Sequence, residues 1–135
     1  MTQKFTTISQ SKELLELGAD PSTADGARYE DGSCSAERYE EAKKSVDEVN
    51  EHRKRDGYPH MIELYPAWSL EALLEFLPPG TVFISNYRTA RAEFCGERVK
   101  ENYNVEGKPG TIFESVFDMV KSLIKEGYIN KRNNQ

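Results

Sequence analysis

The stretch Thr111–Tyr128, TIFESVFDMVKSLIKEGY, decides the fold. Thr111 and Glu114 stand at the T-x-x-E spacing of a capping box, in which each side chain hydrogen-bonds the other residue's backbone N–H. Ile112, Phe113, Val116, Phe117, Met119, Val120, Leu123 and Ile124 recur at helical spacing, and Glu114, Ser115, Asp118, Lys121, Ser122 and Lys125 take the other side. Lys121 and Lys125 suit the negative end of the helix dipole, and Gly127 suits the left-handed conformation that stops a helix. So broad an apolar stripe has to be covered by a sheet or by several helices.

The residues just upstream supply that cover. Thr81–Tyr87 (TVFISNY) and about 92–99 read as two strands joined by Arg88–Arg91, and Val99–Val105 alternates as a third extended piece. Tyr128–Asn130 is expected to return as an edge strand. Before them, Ser69 caps a helix over Leu70–Leu77, with Trp68 and Leu73 at the two positions of a hydrophobic staple, and Pro78–Pro79–Gly80 ends it. Helix, hairpin, helix in this order predicts an α+β fold: a small antiparallel sheet backed by the helices at 70–77 and 111–126.

The first half is more charged. Lys4–Ile8 reads as a short strand or an arm. Ser9 or Ser11 caps a helix through Leu14, Leu15 and Leu17 that Gly18 ends. Ala19–Gly26 is a loop or a single helical turn started by Asp20–Pro21, and Glu30–Ser35 is a second loop. Ala36–Arg55 is a long helix with a thin apolar stripe (Ala36, Tyr39, Ala42, Val46, Val49) and exposed pairs such as Glu40–Lys44. Aspartate, glycine and proline break it at Asp56–Pro59, and Met61–Pro66 is extended.

A length of 135 residues fits one domain spanning 1–135, with a compact core at 65–130 and the charged helix at 36–55 alongside. One Trp, seven Tyr and six Phe argue against a disordered chain. The net charge of −5 lies wholly in residues 1–68, so a diffuse basic footprint for nucleic acid is lacking. Cys34 and Cys95 lie far apart and read as reduced thiols. No signal-type apolar segment opens the chain, and no apolar run approaches the ~20 residues that span a bilayer. A soluble cytoplasmic protein without a membrane partner is expected.

Ser11–Asp25 (SKELLELGADPSTAD), Tyr65–Pro78 (YPAWSLEALLEFLP) and Phe117–Ile129 (FDMVKSLIKEGYI) resemble a group of small uncharacterised proteins encoded by phages and mobile elements of Bacteroides-group gut bacteria. The resemblance touches both ends and the middle of the chain, while Glu30–Pro59 is longer and more charged than the pattern. It implies a phage or prophage origin and a cytoplasmic location. It implies no activity, cofactor or catalytic residue.

Reactive constellations are not written into the spacing. His52, Asp56 and His60 would align as metal ligands only on a continuous helix, which Gly57 and Pro59 break, so no metal site is expected. Glu93 and Glu97 share a strand face around Cys95, an arrangement that solvent exposure explains and that lacks an activating base. Phosphate-binding glycine loops and the G-x-S-x-G elbow are absent from the sequence. Catalytic residues and cofactors are therefore not assigned.

Two binding surfaces stand out. Tyr87, Arg88 and Arg91 at the hairpin turn, with Arg98 and Lys100 beyond, combine an aromatic ring with cations as single-stranded nucleic-acid binders do. The same residues also serve a hairpin that merely stays soluble. The stripe Tyr39, Val46 and Val49 on the long helix offers a face to a protein partner or a second copy. The leading expectation is a non-catalytic accessory module acting by protein binding or self-association. Nucleic-acid binding through the hairpin is the alternative, and a small enzyme without a local motif comes third.

Overall fold

The computed structural model describes residues 3–78, 81–85, 90–94, 103–107 and 110–127. Helix α1 spans Ile8–Glu16 and is followed by a 3-10 turn at Pro21–Thr23. Strands β1 (Gly26–Tyr29) and β2 (Cys34–Ser35), helix α2 (Tyr39–Arg55), strand β3 (Leu64–Ala67) and helix α3 (Leu70–Leu74) come next. Strands β4 (Val82–Ser85), β5 (Ala90–Phe94) and β6 (Tyr103–Glu106) precede the last helix, α4 (Ile112–Lys125). The fold is α+β, with antiparallel sheets backed by helices as expected.

There are two three-stranded sheets among the described residues, not one. The sheet β4-β5-β6 is the expected one, with Ala92 opposite Phe83 on one side and Val105 on the other. The other, ordered β2-β1-β3, includes the segment expected to be a loop at Glu30–Ser35. Asp31–Gly32 is a hairpin signal there: Gly32 has a φ of 91°, and the Asp31 carboxylate accepts the Ser33 N–H at 2.9 Å. Four-residue and two-residue strands with no alternation leave little periodicity to read. Arg91 lies inside β5 rather than in the turn. The proposed edge strand at Tyr128–Asn130 falls outside the described residues.

Caps set the helix bounds. The α4 capping box forms in full, Thr111 Oγ1 accepting from Glu114 N at 3.1 Å and Glu114 Oε1 from Thr111 N at 3.2 Å. In α1 the cap is Thr7, boxed with Gln10, rather than Ser9 or Ser11; Ser11 is buried inside the helix. Helices α1 and α2 both close in a Schellman motif. Ala19 N–H reaches Leu14 C=O and Tyr58 N–H reaches Arg53 C=O, across Gly18 and Gly57 at positive φ. Helix α3 is shorter than expected, because Phe76 and Leu77 bond three residues back in tighter turns.

The main core joins α1, α3 and α4. Leu14, Trp68, Leu73, Met119, Val120 and Leu123 are fully buried in one cluster, each side chain worth about 1.5–3 kcal/mol of hydrophobic stabilisation. The staple pair Trp68 and Leu73 thus lies in the core. Ser115, expected on the polar side of α4, is buried as well, with Gly107 packed against its backbone. Helix α2 lies against β1, β3 and the 3-10 turn. Its surface pairs are Lys43–Asp47 at 2.9 Å and Lys44–Glu41 at 3.6 Å, so Lys44 turns to Glu41 and not to Glu40. No helix among the described residues is long and apolar enough to cross a membrane.

Candidate functional site

The starts of α3 and α4 lie side by side, and both are fixed by hydroxyl caps. Ser69 Oγ accepts the Ala72 N–H at 3.1 Å. Asp25, at the entrance to β1, holds Ser69 in turn: one carboxylate oxygen accepts Ser69 N–H at 2.9 Å and the other accepts the Ser69 hydroxyl. Beside these caps, Leu70, Leu74, Ile112 and Phe113 line a mainly apolar cleft of 910 Å³. Glu71 and Glu114 stand on the helix side of its lining, and Gln3 and Lys4 of the N-terminal arm on the other.

The arm is pinned from below. Arg28 donates from Nε to Thr6 C=O at 2.8 Å, from Nη2 to Phe5 C=O at 3.1 Å and from Nη1 to Gly32 C=O at 2.7 Å. Gln3 and Lys4 also line a smaller cleft of 570 Å³ with Phe5, Thr7, Arg28, Cys34 and Ala36, so the arm divides two depressions. Arg28 is spent on carbonyls. Partial burial pushes the Cys34 thiol above its ordinary value, with nearby Arg28 opposing the shift.

The polar groups of the larger cleft are few. Its hydroxyls, Ser69 and Thr111, are both occupied as caps, and neither histidine lines it. A depression of this size matches the upper end of ligand pockets, about 300–1,000 Å³, in which apolar walls carry a few polar groups. The remaining polar network lies elsewhere. His60 Nε2 meets Glu30 Oε2 at 2.7 Å, Glu63 N–H donates to Glu30 Oε1 at 3.0 Å, and Tyr65 OH donates to Glu63 at 2.7 Å. The Glu63 N–H and the His60 ring hold the Glu30 carboxyl below its usual value, and the Glu63 carboxylate raises the Tyr65 phenol. Among the described residues no cluster of His, Cys, Asp and Glu could hold a metal ion.

The surfaces expected from the sequence are distributed differently. Tyr87, Arg88, Arg98 and Lys100, like Cys95 and Glu97, lie outside the described residues. Arg91 pairs with Glu93 at 3.0 Å. On α2 the expected interface is corrected. Val46 is buried within its own chain, and Tyr39 packs half-buried against the core, because the stripe faces the body of the domain. Val49 alone of the three is exposed, at 44%. The sequence reading took Leu70 and Leu74 as one core face with Leu73 and Leu77, and Ile112 and Phe113 as the start of the α4 stripe. Compared with known proteins, the chain matches no family model, no curated protein and no solved structure.

Proposed function

We propose that the chain is a non-catalytic binding protein that holds an apolar segment of another polypeptide in the cleft between the starts of α3 and α4. The observation that supports this reading is the apolar lining of the cleft, Leu70, Leu74 and Ile112, half-buried against the core between two capped helix starts and bordered by charge. Large apolar depressions rimmed by polar groups are where proteins bind partners. A phage or prophage origin and a cytoplasmic location, implied by the resemblance of Ser11–Asp25 and the other two segments, belong to the same proposal. Binding to single-stranded nucleic acid gains no support from Arg91, whose guanidinium is paired with Glu93.

The test is a methyl NMR titration with the probe peptide acetyl-Leu-Lys-Leu-Leu-Lys-Leu-amide. Shifts concentrated at the Leu70, Leu74 and Ile112 methyls, with Leu14 and Leu73 unmoved, are expected. Shifts spread evenly over the surface, or none up to about 1 mM peptide, a ΔG near −4 kcal/mol, would remove this reading.

A further inference from the structure

The sequence holds three aspartate–glycine pairs, Asp25–Gly26, Asp31–Gly32 and Asp56–Gly57. Such pairs are open to backbone isomerisation, because no β-carbon shields the glycine nitrogen. The fold treats the three differently. Both carboxylate oxygens of Asp25 are taken by Ser69, one by its N–H at 2.9 Å and the other by its hydroxyl. Gly26 is buried in β1 opposite Ala67. At the β1–β2 turn, Asp31 Oδ1 accepts the Ser33 N–H at 2.9 Å and the Ser33 hydroxyl at 2.7 Å. Gly32 is bonded on both sides: its N–H donates to Tyr29 C=O at 2.8 Å, and its C=O accepts from Arg28 Nη1 at 2.7 Å. Asp56, by contrast, is exposed, and its carboxylate has no partner among the described residues. The Gly57 N–H donates to Lys54 C=O at 3.2 Å, at a helix end, where local opening costs least.

We infer that Asp56 is a site of spontaneous succinimide formation and conversion to isoaspartate, from which the fold protects Asp25 and Asp31. The Gly57 nitrogen attacks Asp56 Cγ. An N–Cγ bond forms, the Cγ–OH bond breaks, and the hydroxyl leaves with the amide proton as water. A second water then attacks the ring carbonyl made from the Asp56 backbone C=O and breaks its bond to nitrogen. The chain now runs through Cβ and Cγ, and the former backbone carbonyl is a free carboxylate. One water is released and one consumed, so no co-reactant is needed. The neutral acid is the better electrophile. At Asp31 the Ser33 hydroxyl and N–H hold the carboxyl below its ordinary value and so favour the inert carboxylate. At Asp56 the product inserts one carbon into the backbone where the Gly57 and Tyr58 N–H groups close α2 onto Lys54 and Arg53. Arg53 also donates to His60 C=O at 3.0 Å, so isomerisation unfastens the end of α2 from the segment that follows it. The site is independent of the cleft.

Ageing the full chain in mildly acidic buffer, folded and in urea, tests it. Peptide mapping with electron-transfer fragmentation distinguishes isoaspartate from aspartate at each of the three positions. In the folded chain Asp56 is expected to convert at least about tenfold faster than Asp25 or Asp31, a factor within reach of two hydrogen bonds to a carboxylate. In urea the three rates should converge, because the protection belongs to the fold. Amide exchange at Tyr58 should quicken in the isomerised fraction, with Trp68 unchanged. Conversion at Asp25 or Asp31 as fast as at Asp56 in the folded chain would overturn the inference. So would a folded chain that forms no isoaspartate at Asp56 while the chain in urea does. A preference for Asp56 that persists in urea would also sink it, by tracing the effect to sequence neighbours and not to structure.

Discussion

Asn50 grips Ile62 by both backbone groups: its carboxamide oxygen accepts the Ile62 N–H at 2.8 Å, and its nitrogen donates to the Ile62 C=O at 2.9 Å. This pair does for α2 what its thin apolar stripe cannot do alone. It ties the helix to the segment entering β3, and Arg53 adds a bond to His60 C=O at 3.0 Å.

Asn50→Ala should cost about 2 kcal/mol, since two hydrogen bonds are lost and two partly buried backbone groups are stranded. Asn50→Asp keeps the acceptor and loses the donor, so it should fall between. Urea unfolding of the three proteins reads the order, and equal midpoints for wild type and Asn50→Ala would refute it.

Gly107 admits no side chain. A β-carbon there would lie 1.9 Å from the Ser115 carbonyl oxygen, which is part of the α4 backbone and cannot swing aside. Gly107→Ala should therefore destabilise by about 3 kcal/mol, the upper end of overpacking costs, lowering the thermal midpoint in calorimetry. A midpoint within a degree of wild type would show that β6 and α4 are not packed this way.

Thr6 is a buried junction. Its hydroxyl accepts the Trp68 N–H at 3.1 Å and shares a hydrogen bond with Ser11 Oγ at 2.8 Å, and all three residues are fully buried. Thr6→Val keeps the shape and strands both partners, so a loss of about 2–3 kcal/mol is expected. Adding Ser11→Ala should recover part of it by removing one stranded hydroxyl. A double variant less stable than Thr6→Val would contradict the network.

Acid should loosen the link between the β1–β2 hairpin and the segment after α2. The Glu30 carboxyl is held low by the Glu63 N–H and by His60. A carboxyl lowered in the folded state adds stability in full above its ordinary value of 4.5, and that contribution disappears as pH falls through the lowered folded value. Amide exchange at Glu63 should therefore accelerate as pH drops below 4.5, relative to the intrinsic rate. Glu30→Gln should make that protection insensitive to pH over the same window. An unchanged pH profile in Glu30→Gln would rule out this origin.

How much was legible in the sequence can be told from neighbouring residues. The Thr111–Glu114 box, the Ser69 cap and the Asp20–Pro21 turn are local: each donor and acceptor lies within three residues, so spacing alone specifies them. Strand β5, Ala90–Phe94, begins and ends earlier than the expected strand at about 92–99, while β4 was announced by its β-branched and aromatic run and β6 by the alternation of Tyr103 and Val105. Strand β1 was not, because Gly26–Tyr29 is paired by β2 and β3 rather than by any alternation of its own.

Val46 and Val49 mark the boundary. Both belong to one stripe by helical period, yet Val46 is 7% exposed and Val49 44%. Periodicity says which residues share a face and not what will lie against it. That was settled by contacts far apart in the chain: Asn50 with Ile62, Arg28 with the N-terminal arm, and Asp25 with Ser69. The cleft is of the same kind. The sequence by itself determined two capped helices with apolar first turns. Only tertiary packing, through bonds spanning tens of residues, set those turns side by side, with Leu70, Leu74 and Ile112 half-buried along the cleft between them.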